Sequence, residues 1–284
     1  MSENKPFVTF LMCSRIEGNP DSELHNALHS ISQFVEDNEL NNIEVLIKFD
    51  IGDMGVQKEF LNKNWESDLK GIPGKYKQPN ALKTFPYKIK YFVHNQGEGR
   101  YSLHNDYMFL FSQRNPSSQY ISFITDDCYF NTKGFMSTLR SIKNKDYSIL
   151  GDIKPNSSKY QDWRNNQEWR NEVTPFPVVS CKLFEILQNM GWQVNIDNWL
   201  TLLHVILVNK YGLDLWERIP KFFIRSAQSA EYRKETYNPL DITNLKKCTN
   251  QYYFNLIEQQ AKNIYLNYME KNLKEFAATI NKIL

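Results

Sequence analysis

The chain has 284 residues, 41% of them hydrophobic and 14% aromatic, with 34 basic and 32 acidic side chains and a net charge of +2. That is enough apolar material for one large domain, alone or with a helical appendage, and a charge balance that argues against a nucleic-acid binder. The four cysteines (Cys13, Cys128, Cys181 and Cys248) are widely spaced with no CxxC pair, so neither a zinc site nor a disulfide framework is suggested.

The first half alternates between short apolar runs and amphipathic stretches. Residues 7–12 read as a strand that runs into Ser14 and Arg15, and residues 23–37 as a helix with Leu24, Leu28, Ile31 and Val35 on one face. A second strand over 43–49 ends in Asp50 and Asp53. A helix over 56–69 and a Gly/Pro-punctuated loop over 71–86 follow. The third strand spans 88–93, with His94 and Asn95 after it, and the next helix 102–114. A fourth strand, 120–125, is an apolar run bounded by Asp126 and Asp127. Strand–helix alternation of this kind means a parallel sheet with right-handed crossovers, so all four strand ends share one edge. That edge is where open α/β sheets bind ligands. An adjacent acid pair there reads either as a solvated turn or as carboxylates compensated by a cation or a hydroxyl.

The second half is less regular. A helix is expected over 134–143 and a strand over 147–153 with Asp152 near its end. Residues 156–172 are polar and read as a long surface loop. Trp163, Arg164, Trp169 and Arg170 within it could instead belong to a mobile loop that closes over a ligand. Residues 174–179 are extended around two prolines. Helices follow over 182–190 and 197–211, with a strand over 219–224 between the latter and a terminal helix from about residue 250. Leu266, Met269, Leu273, Phe276, Ile280 and Ile283 step by three and four along that last helix, and six lysines face three glutamates from Lys246 onward. It could dock on the main domain, dimerise or lie on a membrane. The N-terminus lacks the pattern of a signal peptide and no apolar run reaches transmembrane length. A cytoplasmic setting is therefore expected, with peripheral membrane contact through the terminal helix left open.

Four stretches carry a resemblance. They are residues 7–15, then Phe49-Asp50-Ile51-Gly52-Asp53, then Gly99-Arg100-Tyr101-Ser102-Leu103-His104-Asn105, then Ile124-Thr125-Asp126-Asp127. In this order the chain resembles the GT-A fold glycosyltransferases, closest to the family-2-like group that uses nucleotide-sugars. The second stretch is similar to that family's V-D-D-G-S, the third to its G-x-x-x-A-R-N, and the fourth falls where its DxD motif lies. The chain departs from the pattern at Ile51, at His104 and at Thr125, where the first DxD acid would stand.

The resemblance implies an α/β GT-A (Rossmann-like) fold, a mostly parallel sheet flanked by helices with a C-terminal helical extension. Its domains would be a catalytic unit over 1–245, divided into a nucleotide-binding half (1–130) and an acceptor half (131–245), and the extension over 246–284. It implies an inverting, metal-assisted hexosyl transfer from a nucleotide-sugar, a UDP-sugar foremost, to a hydroxyl of a glycan or other acceptor. Ser14, Arg15, Asp50, Arg100, Asp126 and Asp152 would bind the nucleotide-sugar. Asp127 would contact the divalent cation, Mn²⁺ or Mg²⁺, whose preference for oxygen ligands suits a carboxylate. Asp197 would be the catalytic base, though an Asp before a helix serves equally as an N-cap. Two alternatives stand beside this reading. One is a catalytically degenerate GT-A scaffold. The other is a metal-dependent nucleotidyltransferase, against which the single glycine after the first strand argues.

Overall fold

The computed structural model describes residues 6–14, 22–50, 85–94, 103–166, 168–187, 196–225 and 251–283. Nine strands and six α-helices lie among them. Strand β1 (Val8–Ser14) is buried along its whole length because both faces of the sheet are covered. Beside it lie β2 (Ile43–Asp50) and β4 (Tyr120–Thr125), both parallel to it, and β3 (Lys88–His94) pairs in parallel with β2. Beyond β4 the direction reverses. Strand β7 (Val178–Ser180) is antiparallel to β4 and to β6 (Ile149–Gly151), and β8 (Trp216–Arg218) closes the sheet parallel to β6. The order is β3-β2-β1-β4-β7-β6-β8, a mostly parallel sheet of the kind expected.

A separate two-stranded ribbon pairs β5 (Cys128–Phe130) with β9 (Phe223–Arg225). Of the strand expected over 219–224 only β9 forms, and β8, just before that range, was not expected and lies in the other sheet. The intervening Ile219 and Phe222 are buried, so the local apolar run gives no sign of the break.

Period-two alternation sends the strand side chains to two apolar layers. Val8, Phe10 and Met12 join one layer with α1 (Ser22–Phe34), α3 (Phe135–Ser141) and the ribbon. Leu24, Leu28, Ile31 and Val35 are the buried stripe of α1, as their spacing predicts. Leu11 and Cys13 join the other layer with α2 (Leu103–Gln113), α4 (Cys181–Ile186), α5 (Ile196–Tyr211) and the first half of α6 (Gln251–Ile283). Helix α5 is apolar nearly all round because α6 covers its outer side, and it stops at Gly212, whose φ of 63° suits a helix C-terminus. The described cysteines Cys13, Cys128 and Cys181 are buried.

The stretch expected as a surface loop over 156–172 is largely exposed, but Tyr160, Trp163 and Trp169 anchor it in the core. It forms short 3-10 turns at Ser157–Tyr160 and Glu168–Asn171. Trp163 and Trp169 are buried, and Trp163 packs on Phe254 of α6 at 5.1 Å between ring centroids. The Trp169 indole N–H donates to the Trp163 carbonyl at 3.3 Å. Tryptophans so enclosed cannot belong to a loop that closes over a ligand. Their job is to seal α5 and α6.

Candidate active site

The parallel register brings the ends of β1, β2 and β4 level. Ser14 lies opposite Phe49, and Cys13 opposite Thr125. Asp50, the last residue of β2, stands one position further along the same edge, opposite His94 of β3. The helix expected over 56–69, and Arg15, Asp53 and Arg100, lie outside the described residues.

Asp126 and Asp127 form the turn between β4 and β5. They do not behave as a solvated pair. Asp127 is only 4% exposed, and Asp126 is half-buried. The two part toward opposite faces of the sheet. The Ser14 hydroxyl donates to Asp126 Oδ2 at 2.9 Å, on the face of α1. The Thr125 hydroxyl donates to Asp127 Oδ1. Thr125 follows the parity of Ile121 and Phe123, which lie in the layer of α2 and α5. Each carboxylate thus has a neutral hydroxyl that stabilises its charge, as burial requires. Thr125, a departure from the family's acid pattern, is here a hydrogen-bond donor to the acid two residues on.

Asp197 lies in the first turn of α5, one residue inside it rather than before it. A carboxylate at this place is favoured by the helix dipole. Its Oδ1 accepts the Asn198 backbone N–H at 2.8 Å, and the residue is half-buried. Tyr107 of α2 links this side of the site together. Its hydroxyl donates to the Ile124 carbonyl at 3.2 Å, at the end of β4. Burial pushes the Tyr107 phenol well above its usual range, and Cys13, Cys128, Asp127 and Asp197 raise it further. Asp127 and Asp197 therefore both act on one buried hydroxyl, although 70 residues of chain separate them. Nothing in the sequence singles out Tyr107, because its role depends on where α2 crosses the sheet.

Asp152 sits apart from this group. Strand β7 intervenes between β4 and β6, so Asp152 is about 10 Å, two strand spacings, along the edge from β4. It borders a shallow cleft with Thr174, Phe176, Ile219 and Lys221. The Thr174 side chain lies so close to Gly151 that any Cβ there would collide with it.

Among the described residues no group of three or more His, Cys, Asp or Glu side chains could hold a metal alone. Asp127 at the β4 turn offers one carboxylate, and the donors beside it are oxygens. Such a set suits Mg²⁺ or Mn²⁺ when ligand phosphates and water complete the shell. Among the described residues no helix is long and apolar enough to cross a membrane.

No protein-family model matches the chain, and no curated protein matches it in sequence. Solved structures align with most of the chain at low identity. Mannosyltransferase PcManGT from Pyrobaculum calidifontis, in complex with GDP-Man and Mn²⁺, is 10% identical with a TM-score of 0.48, over 97% of this chain and 80% of that one. S. aureus TarS 1–349 in complex with UDP is 11% identical with a TM-score of 0.49, over 94% and 72%. The 4-diphosphocytidyl-2C-methyl-D-erythritol synthase of Anaerococcus prevotii DSM 20548 is 10% identical with a TM-score of 0.45, over 82% and 96%.

Proposed function

We propose that the protein transfers a sugar from a nucleotide-sugar, a UDP-sugar foremost, to a hydroxyl of a glycan or other acceptor. The observation that carries this reading is the pair Asp126 and Asp127 at the carboxyl edge of the parallel sheet, one accepting from the Ser14 hydroxyl and the other, buried, from the Thr125 hydroxyl. The four motif-like stretches of the sequence support it, since those described fall at that same edge.

In this reading Asp50 accepts hydrogen bonds from the N–H edge of the base. Arg15 and Arg100 bind the diphosphate, which guanidinium groups hold in a fork. Ser14 orients Asp126 toward the ribose or sugar, and Asp152 bounds the sugar from across β7. Asp127 is the protein's carboxylate for a divalent cation, Mn²⁺ or Mg²⁺. Such a cation, when bound, would neutralise the leaving diphosphate as a Lewis acid. Asp197 takes the proton of the acceptor hydroxyl as its oxygen bonds to the anomeric carbon. The bond from that carbon to the diphosphate breaks, and its electron pair leaves with the nucleotide. A single displacement of this kind inverts the anomeric centre.

The test is release of nucleoside diphosphate from a panel of UDP-, GDP-, dTDP- and CDP-sugars with Mn²⁺, with sugar hydroxyls as acceptors. The native chain should release one nucleoside diphosphate, and Asp197→Asn should slow the release by about 10² to 10⁴-fold while retaining nucleotide binding. Pyrophosphate release from a nucleoside triphosphate would instead place the chain among nucleotidyltransferases.

A further inference from the structure

The last helix has two apolar faces that serve different halves of it. In the first half Ile257, Ala261 and Ile264 are buried against α4 and α5. Trp199 of α5 donates to Gln260 at 3.0 Å, and Gln260 donates to the Leu187 carbonyl at 2.8 Å. Contact with the body continues to Tyr268, edge-on to Tyr147, and to Lys271, 2.9 Å from Asp146. From 272 to 281 every side chain is exposed.

That projecting segment is not polar. Leu266, Met269, Leu273, Phe276 and Ile280 form a stripe, with Leu273 at 63% and Phe276 at 65% exposure. At 100° per residue the stripe is centred about 140° round the helix from the packed side. The described body of the molecule therefore lies on the wrong side to cover it. A helix in water draws most of its stability from packing one face, so a projecting turn-after-turn segment with an apolar stripe calls for a partner.

Three features select that partner. The spacing of three and four is the heptad seam of helices that pair with one another. Of the residues flanking the seam, Asn272, Ala277 and Thr279 are uncharged and Glu270 is neutralised by Lys274 at 2.6 Å, so like helices can approach without repulsion. A helix lying on an anionic bilayer would line its polar face with free cations. Here Lys271 pairs with Asp146 and Glu275, and Lys274 with Glu270 at 2.6 Å. Five such side chains would bury on the order of 500 Å² per copy, about 1,000 Å² in all, the lower bound of a specific interface.

We infer that the stripe on the projecting half of α6 is a self-association surface, on which the same helix of a second copy of this chain packs to form a dimer. The interface is independent of the donor site and leaves the β4 edge open.

Sedimentation velocity on the full chain across the micromolar range tests this, with Leu273→Glu/Phe276→Glu alongside. The native chain should approach twice the monomer mass as concentration rises, and the double variant should stay monomeric with unchanged thermal unfolding of its core. A native chain monomeric throughout, or a double variant as dimeric as the native chain, overturns the inference. So does a monomer that sediments with phosphatidylcholine–phosphatidylserine vesicles and loses that binding in the double variant, which would make a lipid surface the occupant.

Discussion

The hydroxyl of Ser14, at the end of β1, donates to Asp126 Oδ2 at 2.9 Å, joining the ends of two central parallel strands. The bond fixes one acid of the pair on the α1 face while its neighbour turns the other way. A hydrogen bond to a charged group contributes about 1.5 to 3 kcal/mol when buried, and less here because Asp126 is half-buried. Ser14→Ala should therefore lower stability by about 1 kcal/mol and weaken nucleotide binding several-fold. Urea unfolding and calorimetric titration with the preferred nucleotide read the two effects.

Thr125 and Asp127 make the second hydroxyl–carboxylate pair, and here the acid is buried. Thr125→Val keeps the shape and removes the donor, at a cost of about 1 to 3 kcal/mol. Thr125→Ser keeps the donor and should retain most of the stability. If the hydroxyl also holds Asp127 in place for a cation, Mn²⁺-dependent nucleotide stabilisation will survive in the serine variant and vanish in the valine one.

Beneath the edge, Lys48 of β2 and Asp106 of α2 form an ion pair at 2.9 Å, both nearly inaccessible. It anchors α2, the helix that delivers Tyr107 to the site. Removing one charge of such a pair costs about 3 to 5 kcal/mol, because the other stays buried without it. Lys48→Met should show that loss in denaturant unfolding, and Lys48→Met/Asp106→Leu should regain most of it.

His204 of α5 gives the protein a pH dependence. It is fully buried beside Trp216, with Asp214 at 3.9 Å from Nδ1, and Lys154 bonded in turn to Asp214. Burial holds its pKa down to about 4, against the opposing pull of Asp214 and with Lys154 lowering it further. The unfolded chain takes up a proton near pH 6.5 and the folded one only near pH 4. Stability is therefore complete above about pH 6.5 and falls as pH drops toward 4, by about 3 kcal/mol in total. Glu36, Glu39, Glu172 and Glu258 have pKa values lowered from 4.5 and Asp146 from 3.8, so their contributions are lost only below those values, beneath the histidine's range. Comparing native protein with His204→Leu by urea unfolding from pH 7 to 4.5 isolates the histidine, and the variant should lack its share of the slope.

The strands of the first half were legible because each is a long apolar run, buried on both faces, that the chain must cover with helices. The strands of the second half are three residues each. A run so short has no period, so neither the antiparallel β7 nor β8 could be read. Trp163 and Trp169 sit among polar residues and looked like loop residues. Their burial depends on α6, which folds back over them from 90 residues away. At the site, the acid pair and its edge were legible from strand ends alone. The hydroxyls of Ser14, Thr125 and Tyr107 became visible only once the strands and α2 were in register.

The measurement that bears most directly on the donor site is thermal unfolding with UDP, GDP, dTDP and CDP, each with and without Mn²⁺, on the native chain and on Asp127→Ala. A ligand at about a hundred times its Kd adds about 2.7 kcal/mol, a readily seen rise in Tm. The account predicts that one nucleotide, UDP foremost, stabilises the native chain only with Mn²⁺, and that Asp127→Ala abolishes the effect. No shift with any nucleotide, with or without metal, would contradict it.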